Sequence, residues 1–256
     1  GDMDKAIEWL REKGLAKAAK KSSRIAAEGM AYATVENGVG VVVEVNAETD
    51  FASKTPLFVD FVKDIAKVVA ADAPADIEAL KNCKYPGSEL TVGEMIPEKV
   101  MVIGENIQIR RFARFPENFS VAYVHAGGKI GVLVEFAFEK AETAQAESFK
   151  TFAHDVALQV AAVAPICATR DQVPAETVEH EKQIYMAQAA ESGKPEAIQE
   201  KMAVGRLEKF YKQSVLTEQE FIKDSSLTIK KYAEQVSKEL GDTITVVAFD
   251  RLVRGE

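Results

Sequence analysis

An internal repeat constrains this chain more than any other feature. Residues 40–74 align without a gap on 131–165 at an offset of 91, with 14 identities in 35 positions, among them Gly40/Gly131, Glu44/Glu135, Phe58/Phe149, Phe61/Phe152, Asp64/Asp155 and Pro74/Pro165. Residues 88–115 align on 225–252 at an offset of 137, pairing Leu90/Leu227, Gly104/Gly241, Ile107/Ile244, Phe112/Phe249 and Arg114/Arg251. Self-similarity of this length means one supersecondary unit used twice. The offsets differ by 137 − 91 = 46 residues, so the second copy holds an insertion of that size between Pro165 and Ser225.

The unit is a mixture of strands and helix. Residues 30–35 and the β-branched run 39–45 read as strands joined by a turn at Glu36-Asn37-Gly38, which predicts a β-hairpin. The run ends at Asn46-Ala47-Glu48-Thr49-Asp50-Phe51, a loop. Phe58, Phe61, Val62, Ile65, Val68 and Val69 then recur at three and four, predicting an amphipathic helix over 56–71 that begins at Pro56, faces the sheet and is closed by Pro74. A polar stretch with Pro86-Gly87 follows. The segment from Gly104 to Phe112, with Ile107 and Ile109 alternating, predicts a closing strand. In the second copy, Gly127-Gly128-Lys129 reads as a turn before the strand 130–138, since a phosphate loop would need an earlier glycine and a following Ser or Thr.

The insertion is helical. Residues 175–190 and 195–213 carry helical patterns joined by Glu191-Ser192-Gly193-Lys194-Pro195, with Val178, Ile184, Tyr185 and Ala189 on one stripe and Ile198, Met202, Leu207 and Phe210 on the other. So short a connection predicts an antiparallel hairpin, and so narrow a stripe a two-helix coiled coil. A projecting arm of this kind suits contact with a partner or dimerisation better than decoration. At the other end, residues 4–20 place Ile7, Leu10, Leu15 and Ala18 among lysines, predicting a short helix, a break at Gly14 and a second helical turn. The cations Lys17, Lys20, Lys21 and Arg24 form a solvated face, or one that meets an acidic partner. The expected organisation is therefore α+β: a helix and linker over 1–29, a first α+β subdomain over 30–118, and a second over 119–256 with a coiled-coil insertion at about 171–222.

Composition narrows the function classes. A formal charge of −8, from 32 basic and 40 acidic residues, disfavours a general nucleic-acid binder. No apolar run approaches the roughly 18 residues of a membrane span and no signal segment opens the chain. Cys83 and Cys167, without CxxC or histidine-rich spacing, read as reduced, buried thiols in a cytoplasmic protein. No nucleophile with a base, no paired carboxylates and no metal-ligand spacing occur, so the chain is read as neither an enzyme nor a holder of a metal or cofactor. His154 and His180 fall in helical patterns, and His125 in a turn leading to a strand.

The repeat then supplies a control. Where the first copy has Thr49, Asp50 and Phe51, the second has Lys140, Ala141 and Glu142, although the flanking strand and helix match. A phenylalanine needed for the unit's core would have an apolar counterpart. Phe51 is better read as a tip on an exposed loop, the kind of aromatic that dominates an interface by entering a pocket.

Five stretches together resemble bacterial elongation factor Ts: Lys13-Gly-Leu-Ala-Lys-Ala-Ala-Lys-Lys21, Glu44-Val-Asn-Ala-Glu-Thr-Asp-Phe51, Gly104-Glu-Asn-Ile-Gln-Ile-Arg-Arg111, His125 with Ile130-Gly-Val-Leu133, and Ser192-Gly-Lys-Pro195 with Glu200-Lys-Met202. The resemblance runs in order along the whole chain. It implies a guanine nucleotide exchange factor that binds elongation factor Tu, GDP-bound and nucleotide-free, and speeds GDP release. It implies further that Asp50 and Phe51, with Thr49, push in beside the partner's magnesium and phosphate site, that Ile103 and Gly104 flank that contact, and that His125 faces another domain of the partner. By the same resemblance, the opening helix is the last of a small ubiquitin-associated-like domain, and a C-terminal helical extension found in some members is missing after Glu256. The rival reading is a scaffold or chaperone-like module that binds through the hairpin. A homodimer and a dimer of heterodimers are both compatible with the sequence.

Overall fold

The computed structural model describes residues 2–256, without the side chains of Met3, Asp4, Ala6, Ile7 and Arg11; the Ile7 position of the opening stripe lies outside the described residues. Helices hold 51% of the residues and strands 24%, an α+β chain. By packing it divides into two units, Gly1–Leu133 with Asp250–Glu256, and Val134–Phe249. The boundaries read from the repeat, 30–118 and 119–256, mark sequence similarity, whereas these units mark packing.

In the first unit, helix α1 (Met3–Lys21) is continuous. The break expected at Gly14 does not occur: the glycine stays helical, and the Met101 side chain occupies the space a Cβ there would take. Strands β1 (Glu28–Glu36) and β2 (Val39–Ala47) pair antiparallel with Glu36 opposite Val39. Asn37 and Gly38 both take positive φ, 51° and 85°, the two-residue turn that suits the strands' twist. After the one-turn helix α2 (Asp50–Ser53), helix α3 (Pro56–Asp72) is capped by the Thr55 side chain with Pro56 in its first turn. It ends at Ala73, left-handed at φ 47°, followed by Pro74.

Two further helices, α4 (Ile77–Asn82) and α5 (Val92–Ile103), occupy what read as a polar stretch. The start of α5 is a capping box in which Thr91 and Glu94 bond each other's backbone. Gly93 and Pro97 interrupt its apolar period, which hid it. Gly104 is the left-handed residue ending α5, at φ 86°, and not the start of a strand; β3 (Gln108–Phe115) begins later and pairs antiparallel with β2.

Strand β2 is buried on both faces, which is why its apolar run has no alternation. Val41, Val43 and Val45 pack on the α3 stripe of Phe58, Phe61, Val62 and Ile65. Val42, on the opposite face, joins Ala31, Ala33, Leu133 and Leu252 in a second core.

Strands β4 (Phe119–His125) and β5 (Ile130–Ala137) follow. Helix α6 (Glu147–Val163) has 17 residues, as α3 does, and also ends in a left-handed alanine, Ala164, before a proline. Its Phe149 and Phe152 meet Phe136 edge-on at 5.6 and 5.8 Å between ring centres. Helices α7 (Ala175–Ala190) and α8 (Glu196–Ser214) pack on each other across a short connection containing left-handed Gly193. Their base is a small cluster of Val173, Leu207, Tyr211 and Val215. There Arg170 bonds Glu208 and Glu218, and its guanidinium carbon lies 4.1 Å from the centre of the Tyr211 ring. The short ribbon of β6 (Glu220–Phe221) and β7 (Asp224–Thr228) leads to α9 (Ile229–Leu240), 12 residues long like α5, and to β8 (Thr245–Val253). The sheets run β1-β2-β3, β4-β5-β8 and β6-β7. No helix among the described residues is long and apolar enough to cross a membrane.

Candidate partner-binding site

The end of β2 delivers the chain into a turn that is built around Phe51. Thr49 is extended and caps α2, its Oγ1 accepting from the Ala52 amide at 3.3 Å. Ala52 and Ser53 are buried beneath the turn. Asp50 is bound by Lys54 at 2.6 Å, and this hydrogen bond holds its carboxyl below the usual carboxylate range. Phe51 is left pointing out, 82% exposed. An aromatic ring in water with its backbone fixed is a convex element suited to entering a pocket in another protein.

The turn is held from the α5–β3 corner. Glu105 accepts from the Thr49 amide at 2.9 Å and from Thr49 Oγ1 at 2.6 Å. In the opposite direction, Glu48 accepts from the Asn106 amide at 2.7 Å. Gly104 is exposed and its carbonyl accepts from Lys21 Nζ, while Ile103 is half-buried at the margin of the core. Thr49, Asp50, Phe51, Ile103 and Gly104 are thus linked through this bracket. Among the described residues, no hydrogen bond, ion pair or ring contact joins His125 to them; it is exposed at the end of β4, with Nδ1 2.9 Å from the Tyr123 hydroxyl. Behind Gly104, Lys17, Lys20, Lys21 and Arg24 line a shallow depression with Val100 and Met101.

Glu48 and Glu105 were not among the site residues read from the sequence. A signal for both was there: Glu48 matches Glu139 at offset 91, and Glu105 faces an acid, Asp242, at offset 137. In the second unit Asp242 accepts from the Glu139 and Lys140 amides at 3.0 and 3.1 Å and from Thr143 Oγ1 at 2.5 Å. These bonds, with that of Thr143 first, lower its carboxyl pKa to about 2. The turn there is a 3-10 helix (Ala141–Gln145) with Lys140 at its N-cap, and Lys140, Ala141 and Glu142, which replace Thr49, Asp50 and Phe51, are exposed.

Among the described residues no group of three His, Cys, Asp or Glu could hold a metal ion. Cys83 and Cys167 are free and half-buried, and burial pushes both thiols up.

Residues 48–256 match the family model described as Elongation factor TS, beginning at the glutamate that opens this turn. The chain belongs to that family. Among proteins named elongation factor Ts, that of Trichlorobacter lovleyi is 45% identical across the whole chain and 84% of its own length. Those of Symbiobacterium thermophilum and Clostridium kluyveri are 42% and 44% identical, again across the whole chain, covering 83% and 84% of their lengths. The elongation factor Ts match thus takes in the exposed aromatic, its bracket and the α7–α8 insertion alike.

Proposed function

We propose that this chain is a guanine nucleotide exchange factor for elongation factor Tu, acting in translation elongation in the cytoplasm. The observation that carries this reading is Phe51: 82% exposed on an otherwise pinned turn, in a chain of the elongation factor Ts family. Asp50 and Phe51 enter beside the partner's magnesium and phosphate site, with Thr49, Ile103 and Gly104 against the same surface and His125 facing another domain. No covalent step is involved. A factor that binds the nucleotide-free partner better than the GDP-bound one weakens GDP binding in the same ratio, because the coupling is reciprocal. The wedge supplies that difference if its pocket is open only when the phosphate site is disturbed. The scaffold is a duplicated α+β unit in which one turn acquired the wedge, with α7 and α8 as a coiled-coil insertion in the second copy. The partner is a protein, not nucleic acid or membrane.

The test is stopped-flow release of a fluorescent GDP from elongation factor Tu. Phe51→Ala is expected to lower the release rate by about 30-fold or more, the size of an aromatic hot spot of about 2 kcal/mol. An unchanged rate overturns the wedge. The rival reading, a scaffold that binds through the hairpin, draws on the exposed Met186, Ile198 and Val204; it predicts that Phe51→Ala is silent.

A further inference from the structure

A four-residue helix cannot hold its own tip. The backbone bonds closing the turn include Ser53 to Thr49 and Lys54 to Phe51, each 3.3 Å, and Thr55 to Ala52 at 3.1 Å, and the Ser53 and Thr55 hydroxyls donate to the Asp50 and Ala52 carbonyls at 3.0 and 2.7 Å. Helical turns this short are unstable by themselves, because fixing several dihedrals gains one bond. What ties the turn to the rest of the unit comes from 56 and 58 residues away: the two Glu105 bonds to Thr49, at 2.6 and 2.9 Å, and the Glu48 bond to Asn106, at 2.7 Å. Gly104 makes this approach feasible, since its φ of 86° turns the chain at the end of α5. The second unit repeats the arrangement: Asp242 follows a left-handed glycine, Gly241 at φ 62°, and takes the amides of Glu139 and Lys140. The bracket therefore occurs with and without an aromatic tip. Only in the first unit does it hold something that must enter another protein.

We infer that Glu105 is a positioning residue for Phe51: its carboxylate fixes the 48–53 turn so that the ring meets the partner preorganised. The inference rests on the exchange reading above. Its logic is that a tip already ordered loses less freedom on insertion, and this saving appears in the inserted state. Glutamine at 105 would accept one bond and turn an amide NH₂ toward the other donor. Because the Thr49 hydroxyl can accept from that NH₂, a charge-assisted pair of bonds becomes two weaker neutral ones.

The test measures GDP release from elongation factor Tu as a function of factor concentration, separating the maximal rate from the concentration giving half of it. Glu105→Gln is expected to lower the maximal rate about tenfold, with a much smaller change in the half-saturating concentration. Thr49→Val gives a similar loss, Thr49→Ser recovers most of it, and the double variant Glu105→Gln/Thr49→Val is no worse than the poorer single. A tryptophan reporter (Phe51→Trp with Trp9→Phe) shows faster nanosecond depolarisation when Glu105→Gln is added. Should Glu105→Gln fold poorly, Glu105→Asp, with a shorter arm that reaches one donor, gives an intermediate loss in a folded protein. Unchanged rate and depolarisation in Glu105→Gln overturn the inference, as do effects that simply add in the double variant, since Thr49 would then act as a helix cap alone. If Phe51→Ala lowers release and Glu105→Gln does not, this inference alone fails. If Phe51→Ala is silent, the exchange reading fails and takes this one with it.

Discussion

Gly29 shows how much a single residue can depend on what crosses it. Its φ is 127°, and a Cβ there would lie 2.1 Å from the Val45 carbonyl oxygen, a backbone atom with nowhere to go. Gly38 also has a positive φ, 85°, but open space where its Cβ would stand. Gly29→Ala should therefore cost about 2–4 kcal/mol of unfolding free energy, combining strain with a clash, and Gly38→Ala about 1 kcal/mol from backbone strain alone. Equilibrium urea denaturation of the two variants checks the ranking. The sequence marked Gly38 through its turn context, whereas nothing near Gly29 announced its position opposite Asn46. Phe51 was legible for a different reason. Its counterpart in the second copy is Glu142, and an apolar residue replaced by a charge at a matched position is not core.

Among the elements, the two bracketed turns differ in what secures them. In the second unit the turn depends on one carboxylate, Asp242, whose pKa of about 2 lies below its ordinary 3.8. A carboxyl lowered in the folded state stabilises it above the ordinary pKa, and the contribution is lost as pH falls from about 4 toward 2. Acid unfolding of the 139–143 region, followed by amide exchange, should track that window, and Asp242→Asn should remove the dependence on pH there. The strand β2 and helix α3 were legible as elements, because a run buried on both faces and a stripe at three and four are local patterns. Helix α5 was not: Gly93 and Pro97 break its period, and its capping box at Thr91 and Glu94 is a short signal within a polar stretch. Helix α1 runs on through Gly14, and the Met101 side chain, 87 residues away in sequence, lies where a Cβ there would stand.

At the scale of the whole molecule, the question is whether the α7–α8 hairpin or the Phe51 turn carries the activity. Shortening the hairpin beyond its base, so that Val173, Leu207, Tyr211 and Val215 remain packed, removes the exposed Met186, Ile198 and Val204. The wedge reading predicts that GDP release from elongation factor Tu then stays within about twofold of the parent, well inside one decade of rate. A scaffold that works through the hairpin would lose its effect, and the same stopped-flow measurement decides. The sequence by itself determined that the chain is α+β, that it repeats one unit, that a helical segment is inserted, and that Phe51 lies outside the core. Each follows from local periodicity or from comparing one half of the chain with the other. Only the tertiary structure decided that Glu105 and Glu48 hold the turn, that Gly14 and Gly29 admit close neighbours, and that His125 stands apart from the bracket. Those facts are distances between residues remote in sequence, set by how helices and strands pack, and no local pattern encodes them.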